Sequence, residues 1–296
     1  MMSQRTTTRP PHAGARIRLH AGRAYLLPAA DVPEGMVAGA FSVLSPGTER
    51  RHLTGPERAA GYMGLGQADD AWVLAPVPHG AAFDPRCEGA VRTPPGTSVE
   101  VAALARFQQM ARLGLDRVPA AELGGAIVVG SGPVALGCVL ELHRRGGTDV
   151  RVVTSRRHAP IGRAPGVSCV APGSPVTGRL VIDAAGDPVR AAAFTVPGGV
   201  LGLLGTPGAS AALPAVEVHR AGWTVVGMHE LAALDTDAYQ DAYSASAAFL
   251  TDRLAPELLA SWCRRVPGVR APELYALLAG AGRPAEPVIV FDWRSA

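Results

Sequence analysis

The stretch Ala126-Ile-Val-Val-Gly-Ser-Gly-Pro-Val-Ala-Leu-Gly137, continuing through Cys138-Val-Leu-Glu-Leu-His143, decides the fold. Ile127, Val128 and Val129 are β-branched and uncharged, which predicts a strand buried on both faces of a parallel sheet. Gly130 permits a tight turn, and Gly132 keeps side-chain atoms away from a pyrophosphate approaching the backbone. Gly137 is expected to let the following helix lie close to the strand. The helix N-terminus then directs its free N–H groups at phosphate. Strand, glycine turn and helix stand in the order a nucleotide site requires, so Gly130, Ser131, Gly132, Pro133 and Val134 are read as a cofactor-binding turn.

Outward from this turn, the second half of the chain alternates strand and helix, which predicts a doubly wound parallel sheet. Asp149–Thr154, Arg179–Gly186, Gly198–Thr206 and Trp223–Gly227 read as further strands. Amphipathic helices follow Leu231, and Pro287–Trp293 reads as a last apolar strand. The first half is of another kind. Ala24–Leu27, Met36–Leu44 and Ala71–Ala75 read as strands between Gly- and Pro-rich breaks. Ser45–Arg50 and Gly61–Gly66 read as loops. Helical spacing runs from Val99 to Leu115.

Composition narrows the function classes. The 296 residues are 48% hydrophobic and 18% charged, enough for two domains with packed cores and against wholesale disorder. The net charge of +3 is spread along the chain, so neither nucleic acid nor a membrane surface is expected as a partner. All basic side chains other than histidine are arginine, which excludes Schiff-base chemistry and a phosphate-loop lysine. Cys87, Cys138, Cys169 and Cys263 are far apart and form no C-x-x-C pair, so neither a thiolate zinc site nor a disulfide framework is expected. Met1–Arg16 is polar and carries no apolar signal region, which predicts a flexible tail on a cytoplasmic protein.

Dinucleotide sites that take NAD usually carry an acid about twenty residues beyond the glycine turn, bonded to the ribose 2′-hydroxyl. Here that place reads Thr154-Ser-Arg-Arg157. Ser155, Arg156 and Arg157 offer hydroxyl and guanidinium donors for a 2′-phosphate, which predicts NADP(H) as cofactor.

The layout resembles the medium-chain dehydrogenase/reductase superfamily. The resemblance rests on Val128–Gly137, Val181-Ile-Asp-Ala-Ala-Gly-Asp187, Pro197-Gly-Gly-Val-Leu-Gly-Leu-Leu-Gly205 and Thr224-Val-Val-Gly227. It implies an α/β fold: a GroES-like β-rich catalytic domain at 16–122 after the 1–15 tail, a Rossmann domain at 123–232, and a segment at 233–296 returning to the catalytic domain. It places Ala185, Gly205 and Thr206 at the cofactor, with backbone groups around Met228 and His229 holding the carboxamide. It also implies a small-molecule substrate and a homodimer.

The zinc-binding members depart from this chain. Their first ligand position reads Pro46 in Pro46-Gly-Thr-Glu49, their Gly-His-Glu reads Gly61-Tyr-Met63, and their third ligand falls near Arg106. Of the structural zinc loop only Cys87 stands in that region. No metal is therefore expected. Without one, a hydroxyl or imidazole must stabilise and protonate a developing alkoxide. Thr48 matches the family's proton-relay residue, Tyr62 stands where a ligand would, and Glu49 is read as orienting Thr48 or an arginine. His52 and His79 are further candidates. The sequence-level conclusion is a zinc-independent NADPH-dependent oxidoreductase acting on a C=O/CH–OH or activated C=C group, in specialised metabolism. A non-redox Rossmann scaffold and a cofactor-assisted lyase or cyclase remain the alternatives.

Overall fold

The computed structural model describes residues 16–119, 123–208, 211–233, 235–280 and 282–294. The tail expected at 1–15 lies outside them. By its contacts the chain forms two units. One holds the described residues up to Val91, those of Arg265–Pro284 and those from Ile289; the other holds the described residues of Arg92–Arg264 with Ala285–Val288.

The first unit begins with β1 (Arg16–His20) and β2 (Arg23–Leu27), an antiparallel pair. Next come β3 (Phe41–Leu44), α1 (Pro46–Leu53), β4 (Arg58–Ala59), β5 (Gly64–Ala68), β6 (Ala71–Ala75) and β7 (Val91–Arg92). β4 pairs with β1 to close a small three-stranded sheet. Two stretches read as loops are regular structure. The Ser45–Arg50 stretch starts α1: Pro46 occupies the first turn, where its missing N–H costs nothing, and Glu49 reaches back to the Ser45 N–H at 3.0 Å. Within Gly61–Gly66, Gly64 and Gly66 lie in β5, in the middle of a sheet. A Cβ on Gly64 would lie 2.6 Å from the Val77 side chain, so the strand is glycine-rich because its neighbours come close. Of the strand read at Met36–Leu44 only Phe41–Leu44 forms, while Val37 makes an isolated bridge to Phe83.

The second unit contains α2 (Val99–Leu115), β8 (Ile127–Val129), α3 (Pro133–Arg144), β9 (Val150–Val153), β10 (Val167–Val170), β11 (Gly178–Asp183), α4 (Pro188–Ala192), β12 (Thr195–Leu203), α5 (Ala215–Ala221), β13 (Thr224–Gly227), α6 (Thr236–Arg253) and α7 (Pro256–Trp262). Its strands pair in parallel in the order β10-β9-β8-β11-β12-β13. This is the doubly wound dinucleotide order, with the reversal between β8 and β11. The Ser98 side chain caps α2 by accepting from the Val101 N–H. α2 packs against both α3 and α6, which explains why nearly all its length is buried and why it groups with the parallel sheet rather than with the strands before it. Helix α6, beyond the boundary read at 232, groups there too. Gly137 corrects the sequence reading of its role. It faces a helix, not the strand: a Cβ there would overlap the Phe107 carbonyl of α2.

The chain then returns to the first unit through β14 (Cys263–Pro267), α8 (Ala271–Ala279) and β15 (Val288–Asp292). β15 pairs antiparallel with β3 in a six-stranded sheet ordered β14-β15-β3-β5-β6-β7. The core beneath it includes Ile17, Leu44, Leu53, Tyr275, Phe291 and Trp293. Among the described residues, no helix is long and apolar enough to cross a membrane.

Candidate functional site

The second unit carries the glycine turn at the carboxyl ends of β8 and β9. Gly130 follows β8 with φ +119, a backbone setting that side-chain-bearing residues rarely adopt. Gly132 is the N-cap of α3 in extended geometry, Pro133 fills the first turn, and no atom would lie within 4 Å of a Cβ on Gly132. That open space lies at the start of a twelve-residue helix, where unpaired backbone N–H groups favour negative charge. Ser131 is tied to the neighbouring turn: its Oγ lies 2.9 Å from Thr154 Oγ1, which also accepts from the Arg156 N–H at 3.2 Å. Ser155 and Arg157 are exposed; Arg156 is half-buried and sends Nη1 towards the Ala285 carbonyl at 3.4 Å. Ser131 thus links the glycine turn to the 154–157 turn, and the Gly130 N–H donates to the Val153 carbonyl at 3.0 Å.

Across the switch point stands Asp183, at the end of β11 and missed by the sequence reading. Its Oδ1 accepts from the Ala185 and Gly186 N–H groups, both at 2.9 Å, and fixes the turn that carries Ala185. Burial pushes its carboxyl above the usual carboxylate range, against the pull of the Asp187, Ala185 and Gly186 N–H groups. Gly205 packs on this turn: a Cβ there would lie 2.7 Å from Ala184 and Gly186 backbone atoms. Thr206 is exposed beside it.

Beyond β13, the backbone groups expected to hold a carboxamide are largely engaged. The Met228 N–H donates to the Leu203 carbonyl at 3.0 Å. The Gly227 and His229 carbonyls accept from Arg117 at 2.8 and 3.2 Å. The Met228 side chain is 1% exposed, whereas His229 is exposed and its Nδ1 accepts from the Leu231 N–H. Arg106, which the sequence reading set near the third zinc-ligand place, forms a two-pronged pair with Glu230 at 2.7 and 2.9 Å and also donates to Gln109.

In the first unit, Thr48 and Tyr62 are half-buried. Thr48 Oγ1 lies 3.5 Å from Ser45 Oγ. Glu49 contradicts its expected role. It is fully buried, and among the described residues its hydrogen-bond partners are neither Thr48 nor an arginine. Oε1 accepts from the Ser45 N–H, and Oε2 accepts from the Tyr275 hydroxyl and lies 3.0 Å from His79 Nε2. His79 Nδ1 lies 2.7 Å from Ser42 Oγ, which accepts from Trp293 Nε1 at 2.9 Å. Burial alone would raise the Glu49 carboxyl; the attraction of His79 and the hydrogen bonds from His79, Tyr275 and Ser45 outweigh it and hold it below the usual range. Gly61 packs on this histidine, since a Cβ there would sit 2.6 Å from the imidazole ring. His79 and Tyr275 were not paired with Glu49 in the sequence because 30 and 226 residues separate them from it. His52 is half-buried on α1, and burial and Arg58 push its ring below the ordinary histidine value.

No protein-family model matches the chain. No curated protein matches it either. Solved structures do. The yhdH oxidoreductase from Salmonella enterica in complex with NADP superposes with a TM-score of 0.68 at 17% identity, over 95% of this chain and 99% of that one. The Escherichia coli K-12 YhdH structure with bound NADPH gives 0.70 at 17% identity, over 95% and 99%. Galactitol-1-phosphate dehydrogenase from E. coli gives 0.72 at 13% identity, over 94% and 99%. Together with the sheet order, these likenesses establish that the chain has the fold of the medium-chain dehydrogenases/reductases, a GroES-like domain joined to a Rossmann domain.

Proposed function

We propose that this protein is an NADP(H)-dependent oxidoreductase that works without a catalytic zinc on a C=O/CH–OH or activated C=C group of a small organic substrate. The observation that carries the reading is the pairing of the Gly130–Gly132 turn with the Thr154–Arg157 turn through Ser131 and Thr154. The first turn leaves a cradle for pyrophosphate at the α3 N-terminus. The second carries a serine and two arginines, and no acid, which suits a ribose 2′-phosphate. The NADP and NADPH in the yhdH structures support the same cofactor.

When bound, NADPH supplies a hydride to the substrate carbon. The chain must then hold the oxygen or the conjugated carbonyl that gains charge, and deliver one proton to it. Thr48 and Tyr62 are assigned that part, because both carry a hydroxyl and neither is closed off in the core. Glu49 has no share in it. Pro46 and Met63 offer no hard donor at the zinc-ligand places, and Arg106 is a cation already committed to Glu230, so the donor set does not suit zinc.

Titration of NADPH and NADH into the wild-type protein and Arg156→Glu tests the cofactor assignment. The variant is expected to weaken NADPH binding by roughly tenfold or more through lost attraction and added repulsion at the 2′-phosphate, with a much smaller effect on NADH. Equal losses for both would remove Arg156 from the site. A panel of ketones and enones with NADPH then tests the reaction, and saturable binding without turnover on any of them would favour the scaffold alternative.

A further inference from the structure

Four independent contacts converge on the short segment after β13. Arg117, just beyond α2, uses Nη1 and Nη2 to reach the Gly227 and His229 carbonyls at 2.8 and 3.2 Å. Arg106, within α2, holds the Glu230 carboxylate through both guanidinium nitrogens, and both side chains are nearly buried. The Met228 side chain is wedged between two glycines: a Cβ on Gly114 of α2 would lie 2.8 Å from Met228 Cβ, and one on Gly202 of β12 would lie 2.5 Å from its Sδ. The Met228 N–H is held by Leu203. A segment at the edge of a sheet does not need two arginines and two glycines merely to end a strand.

Its position suggests what the clamp is for. A doubly wound sheet binds a dinucleotide across the point where strand order reverses, one mononucleotide over each half. The turn read as holding the 2′-phosphate follows β9, so the adenosine half would lie over β8, β9 and β10. The other half would then lie beyond the ends of β11, β12 and β13, where residues 227–230 stand. We propose that Arg117 and Arg106 are positioning residues that hold this segment in the shape the nicotinamide half requires. The proposal rests on the NADP(H) reading above. A planar, permanently charged fork suits the task, since Arg117 spans two carbonyls and Arg106 both oxygens of one carboxylate.

Two probes separate a positioning role from a general structural one: NADPH, which reaches both halves, and 2′,5′-ADP, which fills only the adenosine half. The Arg117 variant is the primary one because this side chain is exposed and its loss leaves no buried charge. Arg117→Ala is expected to weaken NADPH by roughly tenfold while the affinity for 2′,5′-ADP and the melting temperature stay as in the wild type. Arg117→Lys, a point cation that cannot span both carbonyls, is expected to restore only part of the loss. Glu230→Gln keeps the size of its partner and is expected to show the same split more weakly. Equal weakening of both probes, or no shift in either, overturns the proposal. A wild-type protein that binds 2′,5′-ADP but gains nothing from the nicotinamide half overturns it too. A wild-type protein that binds neither probe overturns the cofactor reading itself, and this inference with it.

Discussion

Glu49→Ala is expected to lower the unfolding free energy by about 3–5 kcal/mol, the cost of removing one partner from a buried charged network. The size follows from what is left behind. His79 Nε2, the Tyr275 hydroxyl and the Ser45 N–H all lose their acceptor in a region with no access to water. The network also ties α1 to α8 through Tyr275, and to β15's neighbour Trp293 through His79 and Ser42. Urea denaturation followed by tryptophan fluorescence measures the loss, and Trp293 reports from within the network. A change below about 1 kcal/mol would mean that the cluster relaxes and finds other partners. The pH dependence has a definite sign. The folded Glu49 carboxyl titrates below its ordinary value of 4.5, so the stability it contributes is fully present above that value. It is lost as pH falls from there through the lowered folded value. Glu49→Gln should therefore flatten the acid side of the stability profile while leaving a residual amide network in place.

The second large effect separates the glycine that caps α3 from the glycine inside it. Gly137→Ala puts a methyl group into the Phe107 backbone, which no side-chain rotation relieves, so α3 must move off α2. Overpacking of this kind costs about 1–3 kcal/mol and more where backbone is the obstacle. Gly132→Ala meets nothing within 4 Å, and its φ of −84 suits alanine, so stability should be unchanged. Its methyl group instead occupies the cradle, and NADPH affinity should fall by roughly tenfold or more. Melting temperature and cofactor titration on both variants check this. A Gly132→Ala protein that binds NADPH normally would show that the pyrophosphate does not lie against that backbone.

Much of the second unit was legible because its signals are local. An uncharged β-branched triplet, a glycine turn and a helical pattern lie within a few turns of chain, and the helix read at Val99–Leu115 forms with those bounds. The first unit was less legible for physical reasons. α1 is eight residues long and opens with Pro-Gly, which reads as a turn unless the reach of Glu49 to the Ser45 N–H is known. β5 contains two glycines demanded by neighbours distant in sequence, so its composition imitates a loop. Glu49 was read as a catalytic auxiliary beside Thr48 because adjacency in sequence was the only visible relation; on a helix its side chain turns to the core, where Tyr275 and His79 meet it. Arg106 was recognised as unfit for a metal, but its partner Glu230 is 124 residues away. Asp183 stood in the sequence only as part of the Val181–Asp187 stretch and Arg117 gave no signal, since each acts on backbone groups that composition cannot reveal.

The proposed function rests on NADP(H) binding at the Gly130–Gly132 and Thr154–Arg157 turns. Calorimetric titration of the purified wild-type protein with NADPH and with NADH tests it most directly. The account predicts saturable binding of one NADPH per chain, at least roughly tenfold tighter than NADH because Ser155, Arg156 and Arg157 engage the 2′-phosphate. Equal affinity for the two, or no heat of binding with either, would contradict it.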